Sequence, residues 1–145
     1  MKKEFFLSFT LLAVSDQGFA KDQFGVSMGN PGGINFVAKK EISGLPLQFA
    51  IGYAGAVYGV EGGYQFFRRD SGAIRSIQFV AGATRADEVF DFYRDSEDEY
   101  DLSWEYIGIS STIQYGGFFV EPGISATNGE FSDSLMSLQV GWLWD

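Results

Sequence analysis

The 145-residue chain contains neither cysteine nor histidine. The first absence excludes disulfides, thiol nucleophiles and a lipid-modified N-terminal Cys. The second removes the commonest general base and the commonest metal ligand. Basic residues are also scarce: 10 Lys and Arg stand against 19 Asp and Glu, and the resulting net charge of −9 speaks against nucleic acid as a partner. Only 3 Pro interrupt the chain, whereas it holds 19 Gly and 17% aromatic residues, a mixture that suits closely packed strands better than helices.

The N-terminus reads MKKEFFLSFTLLAVSDQGFA. Lys2 and Lys3 precede an apolar run from Phe5 to Val14, and small residues Gly18 and Ala20 close the segment. The apolar run is shorter than the roughly 20 residues a spanning helix needs. The layout predicts a cleaved secretory signal peptide over residues 1–20, followed by a single domain over 21–145.

Beyond Ala20 no helical period is sustained, and apolar residues alternate with polar or small ones. Alternation with a period of two is the mark of a strand. Eight strands are expected near 22–29, 33–42, 45–54, 57–68, 73–85, 102–115, 118–128 and 134–144. The turns test the faces independently, because residues flanking a two-residue hairpin point to the same side. Ser43-Gly44 lies between Ile42 and Leu45, and Gly116-Gly117 between Tyr115 and Phe118, all on the apolar face. Gly55-Ala56 lies between Ala54 and Val57 of the other face, and the loop 69–72 keeps Arg68 and Ala73 in step. These agreements predict a consecutive antiparallel meander.

One face carries Ile, Phe, Tyr and Val. The opposite face carries Gly, Ser, Thr and Gln with very few charges. A water-exposed face would display many Lys, Glu and Asp. An eight-stranded barrel has an interior just wide enough to be filled by side chains, so the small polar face fits inside and the apolar face outside. Outward apolar side chains suit a lipid solvent, and closure satisfies every backbone group. The expected fold is therefore an all-β, eight-stranded antiparallel up-and-down transmembrane β-barrel. With both termini at the periplasmic side, the long stretch 86–101 falls on the outer side. Lys40, Arg68 and Arg75 fall at the inner rim on the lipid-facing parity, and Pro122 predicts a bulge in strand seven.

The whole mature segment resembles the small eight-stranded outer-membrane barrels of Gram-negative bacteria, of the OmpA, OmpX and OmpW kind. The likeness is carried by the signal peptide, the eight alternating segments and the final stretch SLQVGWLWD. It implies a monomer in the outer membrane, in contact with lipid and lipopolysaccharide. It also implies that Leu138, Val140, Trp142 and Trp144 form the signal read by the barrel-assembly machinery, with the two Trp in an aromatic girdle. The family usually ends on the aromatic itself, and Asp145 departs from that pattern. Its enzymatic members rely on a His, which this chain lacks, so no catalytic set and no cofactor are expected.

Two groups of residues remain as candidate sites. Residues 87–101, DEVFDFYRDSEDEYD, hold eight carboxylates against Arg94 alone. Asp95, Glu97, Asp98 and Glu99 are candidate ligands for a hard cation, although their spacing is not that of an EF-hand. Phe90, Phe92 and Tyr93 are candidate anchors for a basic partner. Within the barrel, Lys39, Glu41, Glu61 and Glu121 are the expected inward charges. Lys39 should pair with Glu121 or Glu41, because an unpaired charge in a dry interior is costly. Glu61 has no cationic partner legible in the sequence. The competing expectation for the whole chain is a secreted soluble β-barrel that holds a small apolar ligand.

Overall fold

The computed structural model describes residues 22–87, 102–129 and 134–145. The expected signal segment, residues 88–101 of the acidic stretch with the candidate cation ligands Asp95, Glu97, Asp98 and Glu99, and the anchors Phe90, Phe92 and Tyr93 all lie outside the described residues.

Eight strands form: β1 (Gln23–Gly29), β2 (Gly33–Ile42), β3 (Leu45–Ala54), β4 (Val57–Arg68), β5 (Ile74–Ala86), β6 (Leu102–Tyr115), β7 (Phe118–Gly129) and β8 (Ser134–Trp144). Each pairs antiparallel with its successor, and β1 pairs with β8 to close the barrel. The seam runs from Phe24 opposite Trp144 to Gly29 opposite Gln139. Closure leaves no edge strand, so every ladder finds its partner within the chain.

The β2–β3 turn shows why such a short connection works. Ser43 and Gly44 both have positive φ, 52° and 79°. That left-handed pair matches the twist of the strands it joins, and Gly at the second position adopts it without strain. This turn, the β4–β5 loop and Gly116-Gly117 lie at the same end as residues 22 and 145, the terminal end of the barrel. The β1–β2 and β3–β4 connections lie at the far end.

Three details differ from the expected pattern, and each has a local cause. Gln65 pairs with Gln78 but Phe67 pairs with Ile77, so Phe66 is an extra residue in β4. An extra residue reverses the facing of the residues after it. Arg68 therefore turns inward rather than toward the outer wall, and the connection to β5 lengthens. The amide of Arg69 donates to the carbonyl of Arg75 at 2.7 Å. A second irregularity, between Ile74 and Ser76, does the same for Arg75. Pro122, by contrast, makes no bulge. The β6–β7 pairing keeps one register from Ser110 opposite Gly123 to Ile113 opposite Val120, and is merely interrupted where the proline has no N–H to give.

The two faces separate sharply. Phe36, Ile51, Val60, Phe79, Ile107, Ile109, Ile124 and Leu138 stand on the outer wall, exposed. Tyr53 and Tyr58, directly opposed, mark its far end. Tyr115, Phe118, Trp142 and Trp144 mark the terminal end. Inside are Ser27, Asn35, Gln48, Gln78, Ser110, Thr112 and Gln139, all buried. The interior is not wholly polar: Val37, Ala50, Phe119 and Leu143 form a small apolar cluster.

Candidate functional site

The lumen holds three of the four expected inward charges, Lys39, Glu61 and Glu121, and its centre is Glu121 on β7, 2% exposed. Its Oε1 accepts from the Gln48 amide at 3.0 Å, the Gln78 amide at 2.6 Å and the Ser110 hydroxyl at 3.0 Å. Its Oε2 accepts from the Thr112 hydroxyl at 2.8 Å and the Lys39 ammonium at 3.4 Å. The donors come from β2, β3, β5 and β6, so one carboxylate ties together five walls of the barrel. Lys39 also donates to Thr112 Oγ1 at 2.7 Å and lies 5.5 Å from the centre of the Phe119 ring. Strand alternation places all these side chains, because each lies on the inward parity of its strand. The amide oxygens of Gln48 and Gln78 are buried and meet no protein donor.

Glu61 on β4 anchors a second network, without a cation. Tyr106 donates to it at 2.6 Å and Gln139 at 3.0 Å. Ser27 donates to Gln139 at 3.1 Å, and Asn35 to Ser27 at 3.2 Å. Asn35 then ties down the β1–β2 connection: its amide nitrogen donates to the carbonyls of Gly29 and Asn30, and its oxygen accepts from the Gly32 amide. Pro31 and Gly32 are buried, and the carbonyl of Pro31 accepts from Thr84 at 2.8 Å. This short connection folds into the far mouth of the barrel. It fits only because the facing positions are small. A Cβ on Gly52 would lie 1.8 Å from Asn35 Oδ1 and 2.8 Å from Gly32 Cα.

At the terminal end, Glu41 pairs with Arg68 at 3.1 Å. The two border a cavity of about 480 Å³ that is also lined by Lys39, Lys40, Arg69, Asp70, Arg75 and Asp145. Lys40 reaches Asp22 at 3.2 Å on the rim. Leu138, Val140, Trp142 and Trp144 all stand on the outer wall.

Lys39, Glu61 and Glu121 thus meet in the lumen, while Glu41 sits apart at the mouth. Sequence reasoning did not single out Tyr106, the partner of Glu61. Its position was nonetheless legible, since it alternates with outward Ile107 and faces Gly82 across the sheet. Arg68 and Arg75 leave the outer face that alternation predicts because of the two irregularities, which have no local mark in the sequence.

The hydrogen bonds of the two carboxylates brace the walls of the barrel against one another. Both oxygens of Glu61 and of Glu121 are held by fixed donors, and neither side chain is open to solvent. Among the described residues no three Asp or Glu side chains gather as a cation site. No protein-family model, curated protein or solved structure matches the chain.

Proposed function

We propose that the chain is a small outer-membrane β-barrel with a structural or surface-interaction role, its lumen plugged by side chains. The observation that carries this reading is the inverted distribution of polarity: large apolar side chains encircle the outside, and hydrogen-bonded polar side chains fill the inside. A monomeric soluble protein rarely exposes a continuous apolar patch beyond a few hundred Å². A lipid solvent makes the same surface favourable, and aromatic residues at both ends of the wall suit the two interfaces. A soluble barrel built to hold an apolar ligand would line its lumen with such residues instead.

Two tests address this together. The full chain, expressed in a Gram-negative host, should fractionate with the outer membrane, and its gel mobility should shift on boiling, as intact barrels resist detergent when cold. Recovery as a soluble periplasmic protein with no heat shift overturns the proposal.

A further inference from the structure

We infer that the terminal mouth of the barrel is a binding site for a phosphate group; only a lipid-borne source of that phosphate rests on the membrane reading. Six Lys and Arg lie among the described residues, and all but Arg85 line the cavity at this end. In a chain so rich in carboxylates, that concentration is not what composition alone would give.

The backbone itself is modified to produce it. Strict alternation would leave Arg68 and Arg75 on the apolar outer wall. One irregularity in β4 and another in adjacent β5, both close to the terminal end, turn the two side chains toward the mouth. Bulges disrupt the ladder, and proteins use them to re-aim side chains.

The ion pairs then leave part of the basic set available. Lys39 is held by Glu121, Lys40 by Asp22 and Arg68 by Glu41. Arg69 rests on the Phe67 ring, 5.7 Å from its centre. Arg75 donates through Nη1 to the carbonyl of Asp70, and its Nε is buried without a protein acceptor. Asp70 and Asp145 also border the mouth; both are exposed, and Asp145 accepts from the Gln23 amide at 2.9 Å. Guanidinium groups present a planar fork that matches phosphate oxygens two at a time. Gln114 adds a neutral donor on the same lining, since the Gly116 carbonyl holds only one of its two amide hydrogens. At about 480 Å³ the cavity accommodates a phosphate with a small polar ester, within the usual range for ligand pockets.

The phosphate could be borne by a soluble ester or by the headgroup of a lipid in the adjoining leaflet, and the experiment separates them. The full chain is refolded in a phosphate-free sugar detergent and titrated calorimetrically with glycerol phosphate, and in a second arm with short-chain phosphatidic acid. Saturable binding in either arm is expected, and the arm in which it occurs identifies the source. Arg69→Ala with Arg75→Ala should weaken it by about tenfold or more, the scale of one lost charge-assisted hydrogen bond. Arg85→Ala, at the far end, should leave it unchanged. Arg75→Lys keeps the charge and should weaken binding less than the double variant, which guards against a variant that fails to fold. Absence of saturation up to about 10 mM in both arms, or equal affinity in the double variant, overturns the inference. A barrel that shifts on boiling yet binds no phosphate defeats this inference alone.

Discussion

Lys39 on β2 and Glu121 on β7 face each other across the lumen with Nζ and Oε2 3.4 Å apart, although their strands are separated by β1 and β8. The contact is therefore a cross-brace that neither ladder provides. Removing one member of a buried pair leaves the other charge uncompensated. Lys39→Met should destabilise the barrel by about 3 to 5 kcal/mol. The double variant Lys39→Met, Glu121→Gln should lose less than the sum of the single losses. Reversible urea unfolding from lipid vesicles checks both; simple additivity would show that the two residues do not act together.

Gly82 makes room for the Tyr106 ring that holds Glu61. A Cβ at position 82 would lie 2.5 Å from Tyr106 Cζ and Oη and 2.8 Å from the Val60 carbonyl. Gly82→Ala should cost roughly 1 to 3 kcal/mol by overpacking. The cost should fall in a Tyr106→Ala background, where only the backbone contact remains. The same unfolding measurement reads this, and an unchanged penalty would mean that Tyr106 does not limit the space.

The Glu121 network occupies the centre of the lumen, and the connection over residues 30–32 turns into its far mouth. Planar bilayers containing the protein should show no steady ionic current, as expected for an eight-stranded interior filled by side chains. A persistent open-channel current would show that the plug is not maintained.

Much of the barrel was legible beforehand because strand alternation and two-residue turns are local signals. Ser43-Gly44, Gly55-Ala56 and Gly116-Gly117 set the register of three hairpins, and β2, β3, β4, β6 and β8 begin and end where the pattern places them. Inward Lys39, Glu61 and Glu121 came from the same parity. The features that escaped depend on neighbouring strands. The extra residue at Phe66 has no local signature, since FFR reads equally well as continued alternation, and the fate of Arg68 hung on it, as that of Arg75 hung on the irregularity between Ile74 and Ser76. Pro122 carries the opposite lesson: a missing N–H was absorbed as a gap in the ladder without a shift in register. The burial of Pro31 and Gly32 depends on small residues of β4 and β3, Gly59 against Pro31 and Gly52 against Gly32, and so was visible only once the strands were assembled.

Ile107, 67% exposed near the middle of β6, tests the central claim most directly. An arginine there would face hydrocarbon if the outer wall is solvated by lipid. Ile107→Arg should then cost about 2 to 4 kcal/mol, measured by reversible folding into lipid vesicles. A change within about 0.5 kcal/mol, the ordinary result at an exposed position in water, would contradict the account.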